Sequence, residues 1–424
     1  MFNSSKAVVK IVAIFAFLIL ACAVGAKLFF KTDPSASLDD NPDTTENSVV
    51  TGDLRRAQAD FRQNGLKGMW ISYLEYQNLD FSSRQAFTQD IRKVFADCKA
   101  MGLNTVIVHA RAFGDAFYPS SYFPYSHIIT GSQGTDPGYD PLAIMVETAH
   151  KTGLRIEAWV NPYRVKLGSS MPKELSADNP AQNTALTITT DSGIFYNPAL
   201  EEVRDLVTAG VVEIVENYDV DGIHFDDYFY PDTSEEIDSR QYRRYEGDMS
   251  LEDWRRENVN MLIRQVYGAV KQADDSVTFG ISPQGNDDNN YNMQYSDVAL
   301  WLSQPGYADY IMPQLYWGFN YTTASGSDRY AFKNLSYDWS EYERAAGVKL
   351  YVGLSAYRIG DGDGSAAASS EWQTGDNLKK MLEVIDANPN LDGYAIYSYN
   401  SLFNNTKYSD LARQEVQGIT DYNK

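Results

Sequence analysis

Two adjacent carboxylates, Asp226 and Asp227, close the stretch Asp221-Gly222-Ile223-His224-Phe225 and are followed by the rings Tyr228, Phe229 and Tyr230. A short apolar run that leads straight into two carboxyl groups suits acid and base chemistry at a strand end, and rings beside them suit the flat face of a sugar. Other apolar runs end in related side chains. Trp70, His109 and Arg111 close or follow two of them, and Glu157, Trp159, Asn161, Tyr163 and Arg164 lie along and after a third. Further on come Gln284, then Gln314, Tyr316 and Trp317, then Tyr357 and Arg358, and last Tyr397. Amides and carboxylates bond hydroxyls, rings stack on sugar faces, and a carboxyl pair supports glycoside cleavage. A carbohydrate pocket is the chemistry this inventory fits, with Tyr228 to Tyr230 expected as a sugar-facing wall.

Alternation along a strand ranks the carboxylates. If Ile223 and Phe225 face outward, His224 and Asp226 face inward, so Asp226 is the first candidate for the essential carboxylate. Asp227 is turned aside unless the strand has already ended, and is expected as a helper or a proton donor. Glu157 shares a face with Trp159 and Asn161 but lies deeper; it is either a structural partner of Arg111 or His224, or an acid with a raised pKa. His224 reads as a hydrogen-bonding neighbour of Asp226, because no second histidine stands at ligand spacing. No cofactor or metal is assigned, and the acidic turns Asp287-Asp288 and Asp361-Gly362-Asp363-Gly364 read as solvated loops.

Positioning these groups needs a parallel sheet. Strands are expected at Gly68–Ser72, Thr105–His109, Arg155–Val160, Gly222–Phe225, Val277–Ser282, Tyr310–Met312, Leu350–Leu354 and Tyr394–Ser398. Helices are expected between them at Gln85–Met101, Leu142–Thr152, Leu200–Tyr218, Leu251–Ala273, Val298–Gln304, Asp338–Ala346 and Asn377–Asn388. About eight such alternations is the count of an α/β (β/α)₈ TIM barrel. A doubly wound sheet is disfavoured because no glycine-rich phosphate loop follows the first strand.

Ahead of the barrel, residues 1–31 hold an apolar run from Ile11 to Ala26 flanked by Lys6, Lys10, Lys27 and Lys31. It reads as a signal peptide, a lipoprotein signal with Cys22 as the lipidated residue, or a membrane anchor, and each fate places the rest outside the cytoplasm. Residues 32–63 are expected as a polar, disordered linker, and residues 64–424 as the catalytic domain. The formal net charge of −21, from 36 basic and 57 acidic residues, excludes nucleic acid as a partner. Two cysteines, Cys22 and Cys98, build no disulfide framework.

The stretches Gly68-Met69-Trp70-Ile71-Ser72, Asn104 to Arg111, Glu157 to Arg164, Gly222 to Pro231 and Pro313 to Trp317 resemble the bacterial glycosyl-hydrolase-like family ten, over about Gly65 to Phe403. The resemblance implies a barrel glycosidase of the cell envelope, distantly similar to the α-amylase clan. It also implies a polysaccharide substrate, with peptidoglycan strands stripped of their peptides preferred. In that clan an Asp after strand four is the nucleophile, which Asp226 matches, and a Glu after strand five is the acid. Here Ser282-Pro283-Gln284-Gly285-Asn286 offers no Glu, so the proton donor must come from elsewhere, with Asp227, Glu157, Asp287 and Glu75 as candidates, or the chain binds glycan without cutting it.

Overall fold

The computed structural model describes residues 44–424 apart from 246 and 366–369, with side chains from residue 54 onward. The expected leader and the first part of the linker lie outside the described residues. The strands are β1 (Lys67–Ile71), β2 (Thr105–Arg111), β3 (Arg155–Val160), β4 (Arg164–Leu167), β5 (Thr187–Thr190), β6 (Gly193–Tyr196), β7 (Gly222–Phe225), β8 (Thr278–Ile281), β9 (Tyr310–Ile311), β10 (Lys349–Leu350), β11 (Val352–Ser355) and β12 (Tyr394–Tyr397).

Nine of them form one parallel sheet in the order β10-β9-β8-β7-β3-β2-β1-β12-β11. β10 pairs with β9 and β11 pairs with β12, and only Tyr351 separates β10 from β11. That single run of chain is therefore one stave touching both ends of the sheet, and the ring closes as an eight-stave (β/α)₈ barrel. Backbone bonds from Gly353 N to Pro313 O (2.9 Å) and from Val352 N to Gly393 O (3.0 Å) seal it.

Alternation divides the apolar residues into two cores. Ile223, Phe225, Val106, Val108, Ile156 and Ala158 face outward against the helical layer. Trp70, Ile107, Trp159, Tyr310, Met312, Tyr351 and Ala395 fill the barrel interior. Rings of that size fit only because neighbouring staves carry glycine: a Cβ on Gly280 would sit 1.9 Å from the Tyr310 ring.

Helices stand close to where periodicity puts them at Arg84–Ala100, Pro141–Thr152, Glu201–Asn217, Leu251–Ala273, Val298–Ser303 and Asn377–Asp386. The helix expected at Asp338–Ala346 is instead Phe332–Ser340, where Phe332, Leu335 and Trp339 form the buried stripe. Residues 44–64 are helical, although a linker is expected as far as residue 63. The last turns of that helix have something to pack against: Ala57 is buried, and the Arg155 guanidinium lies 3.5 Å from the Phe61 ring centre. The additional features include an antiparallel sheet β4-β6-β5 inserted after β3, a C-terminal helix at Ser409–Tyr422 and several one-turn helices in the loops. Among the described residues, no helix is long and apolar enough to cross a membrane.

Candidate active site

β7 ends at Phe225, and the two residues after it fan across the barrel mouth. Asp226 turns toward β3. Its Oδ2 accepts from Asn161 Nδ2 (2.9 Å) and Trp159 Nε1 (3.2 Å), while Oδ1 accepts from the backbone N–H of Tyr228 (3.2 Å). Asp227 turns the other way, toward the ends of β8 and β9, where its Oδ1 accepts from Gln314 Nε2 at 3.1 Å. The Gln284 amide stands close enough to lower its pKa.

Burial separates the two carboxyls. Asp226 is 2% exposed, and burial first, with the Asp227 charge second, pushes its pKa up to about 7 against the pull of Arg164 and its own donors. Asp227 is half-buried; burial raises its pKa, and Gln314 and Gln284 oppose the rise. Like charges this close do not both ionise readily. Both carboxyls are therefore pushed toward the protonated form, and the larger rise is at Asp226, the more enclosed member.

Aromatic and cationic groups frame the pair. Tyr228 is 48% exposed, and the Arg164 guanidinium lies 5.0 Å from the centre of its ring. Arg164 is itself held by a bond from its Nε to Ala112 O, and its backbone N–H donates to Asn161 Oδ1. Opposite, Tyr316, Tyr357 and Tyr397 stand as a group, with Tyr316 stacked on Tyr397 and Tyr357 edge-on to both. Trp317 stacks on Tyr330, and Arg358 covers the Tyr357 ring at 4.7 Å.

Below the mouth lies a buried relay that fixes its own proton positions. Trp70 Nε1 can only donate, so His224 Nε2 accepts (3.2 Å) and the imidazole proton sits on Nδ1. Nδ1 then donates to Tyr310 Oη (2.7 Å), which donates to Glu157 Oε2 (2.5 Å). Burial holds His224 neutral, lowering its pKa to about 3, and raises Glu157 to about 6.

Several expected site residues are elsewhere. Glu157 pairs with Gly222, four residues below Asp226, or roughly 13 Å at strand rise, and serves Tyr310, Thr278 and Arg155 rather than the mouth. Trp70 and His224 belong to the layer beneath the pocket. Arg111 faces the helices: a bulge between His109 and Arg111 shifts the register by one residue. Its guanidinium bonds the carbonyls of Asn161 and Pro162 and covers Phe123. Tyr163, Phe229 and Tyr230 are buried in the outer core, so of the expected wall only Tyr228 faces the pocket. Among the proton-donor candidates, both Glu75 oxygens are taken by Ser72 and Ser398, and Asp287 accepts from Tyr342 Oη (2.5 Å). The acidic loop is likewise occupied by protein donors, with Asp361 on Lys407 and Asp363 on Gly318 N and Trp372 Nε1.

His109 remains inside. Its ring stacks on Trp159 with centres 3.5 Å apart, and Nδ1 accepts from Tyr73 N (3.1 Å). The proton is therefore on Nε2, a buried donor without a protein partner.

A family model described as glycosyl hydrolase-like 10 matches residues 65–372. The chain belongs to that family. Membership makes it a glycoside hydrolase, and the matched span carries Asp226, Asp227, Gln284 and Gln314 but stops short of Tyr397. Glycosyl hydrolase YngK of Bacillus subtilis is 36% identical over 359 residues, 78% of this chain and 68% of the relative. Glycosyl hydrolase DigH of Escherichia coli is 33% identical over 326 residues, 70% of this chain and 72% of the relative. Among solved structures, the PgaB (BpsB) glycoside hydrolase domain of Bordetella bronchiseptica aligns with a TM-score of 0.56 at 12% identity, covering 82% of this chain and 98% of that one. An α-L-fucosidase of Paenibacillus thiaminolyticus aligns at 0.52 and 14% identity, covering 84% and 48%. Those two likenesses are of fold.

Proposed function

We propose that this glycoside hydrolase cleaves a cell-wall glycan, with peptidoglycan strands as substrate and Asp226 as the essential carboxylate. The observation that carries the assignment is the contrast at the end of β7, where Asp226 is enclosed under Asn161 and Trp159 with its pKa raised to about 7, while Asp227 is half-buried and held by Gln314. A protonated carboxyl whose pKa lies close to the working pH is suited to protonating a glycosidic oxygen as the bond breaks. Asn161 and Trp159 then stabilise the carboxylate it leaves behind. Tyr228, Tyr316 and Trp317 supply ring faces for the sugars, and Gln284, Gln314, Arg164 and His109 supply polar contacts.

The substrate assignment draws on the resemblance to a family with peptidoglycan-cleaving members and on the N-terminal leader, which would hold the enzyme at the outer face of the cell membrane beside the wall. Release of reducing ends from peptide-free peptidoglycan strands tests it. Wild type should release them and Asp226→Asn should not. No release by wild type, there or on a wider polysaccharide panel, would leave a glycan-binding envelope protein. Radiolabelled palmitate on the wild-type chain but not on Cys22→Ser would identify the lipoprotein fate.

A further inference from the structure

Both carboxyls of the pocket come from one strand end, and this limits how the anomeric carbon can be attacked. Double displacement by two enzyme carboxyls needs one on each face of the sugar ring, acid on the leaving-group side and nucleophile opposite. Asp226 and Asp227 are consecutive and both enter from the end of β7, Asp226 turned toward β3 and Asp227 toward β9. Among the described residues, Glu75 is committed to Ser72 and Ser398 and Asp287 to Tyr342, and Asp115 is wholly buried with His127 and Gln133 on one oxygen.

Beside Asp227 stands a feature that a simple hydroxyl-bearing sugar does not need. Tyr316 and Tyr397 stack with centres 6.1 Å apart, and Tyr357 closes the third side edge-on at 5.6 and 6.1 Å. Gln314, two residues before Tyr316, donates to Asp227 at 3.1 Å, which sets the group on the Asp227 side of the mouth, and burial first, then the phenols of Tyr357 and Tyr397, keep the Tyr316 phenol protonated. Three rings with hydroxyl tips, next to a carboxylate, match a small acyl amide: apolar faces for its methyl, phenol donors for its carbonyl, and a carboxylate for its N–H.

Building on the glycoside-hydrolase reading above, we infer that the pocket takes a 2-acetamido sugar in the cage of Tyr316, Tyr357 and Tyr397, and that the sugar's own acetamido oxygen is the nucleophile. In the first step that oxygen forms a bond to the anomeric carbon. The bond from that carbon to the leaving oxygen breaks, and the leaving oxygen takes the Asp226 proton. Asp227 accepts the amide N–H and holds the positive charge that develops on the oxazoline ring. In the second step a water attacks the anomeric carbon and gives its proton to Asp226, the ring opens, and the acetamide is restored. No group outside the enzyme, the glycan and water enters the balance, and the anomeric configuration is retained.

The experiment compares peptide-free peptidoglycan strands with the same strands after N-deacetylation and re-acylation with trifluoroacetyl groups. Fluorine withdraws charge from the carbonyl oxygen but enlarges the methyl group, so monofluoroacetyl and difluoroacetyl strands are run beside the trifluoroacetyl ones and kcat should fall stepwise with each fluorine. Wild type should lose kcat on the fluorinated strands by roughly 100-fold or more, the scale of losing a well-placed intramolecular nucleophile. Tyr357→Ala, at a partly exposed position and with its circular dichroism checked against wild type, should raise KM on the acetylated strands. Cleavage of both strand types within about threefold by wild type, or a covalent sugar adduct on either aspartate seen by mass spectrometry, would overturn the inference while leaving the hydrolase reading intact. No cleavage of the acetylated strands would refute the reading and the inference together.

Discussion

Replacing Asp226 with Asn should make the fold less sensitive to pH. Asp226 is 2% exposed, and its pKa lies at about 7 in the folded chain against 3.8 for an ordinary Asp. A rise from 3.8 to about 7 corresponds to about 4 kcal/mol, at ~1.4 kcal/mol for each tenfold change in proton affinity. The sign follows from proton binding. Because the folded state holds the proton more tightly, wild-type stability is fully present below pH 3.8, falls as the pH rises, and stops falling above about 7. Asn carries no charge at any pH, so the variant lacks this loss. Glu157 and Glu415, raised to about 6 and about 7, contribute the same slope to both proteins and cancel in the difference. The Asp227 rise comes from burial, opposed by Gln314 and Gln284, and these remain in the variant, so it too cancels. At pH 4.5 the variant should be about 1 kcal/mol less stable, since an amide cannot accept from Asn161, Trp159 and the Tyr228 N–H together. Between pH 4.5 and pH 8 the difference should move by roughly 3 kcal/mol in the variant's favour. Urea unfolding at several pH values measures it. A difference that stays level across that range would show that the Asp226 carboxyl is not perturbed, and the assignment of the resting proton would fall with it.

Activity should have an alkaline limb in kcat/KM near pH 7, as Asp226 loses its proton, and a profile level to pH 9 would exclude it as the acid. Trp159→Phe removes an N–H that stabilises the charged form of Asp226, so that limb should shift upward while the rate drops. Tyr310→Phe cuts the link between His224 and Glu157 and should cost about 1–3 kcal/mol by urea unfolding with little change in kcat; a large loss of kcat would mean that the relay serves catalysis directly. Gly280→Ala drives a methyl into the Tyr310 ring and should cost about 3 kcal/mol or more, seen as loss of soluble protein; a variant of unchanged Tm would show that the interior has slack.

The barrel is legible because its signal repeats. Each stave is a short β-branched or apolar run followed by a long amphipathic helix, and an error at one helix, as at Phe332–Ser340, leaves the count unchanged. The sheet β4-β6-β5 has a weaker signal, since Thr187 to Thr190 is followed by Asp191-Ser192-Gly193, a hairpin turn set in a polar stretch that otherwise reads as loop. The helix ending at Asn64 was hidden for a different reason. Its sequence is polar enough to be solvated, and what orders its last turns is Arg155, nearly a hundred residues away.

At the site, alternation succeeded wherever a strand was regular and failed where one was not. It placed Trp159 and Asn161 on the Asp226 side of β3 because that strand has no irregularity between them. Arg111, expected in the pocket because it lies at a strand end, faces the helices because one bulge reverses every face beyond it, and a bulge leaves no mark in residue types alone. Asp227 shows the same limit from the other side. Alternation along an unbroken strand would turn it toward the helices, but β7 stops at Phe225, so its direction is set by the amides that capture it, Gln314 and Gln284. The fifth stave ends without a Glu, and the amide that stands there, Gln284, joins Gln314 in orienting Asp227.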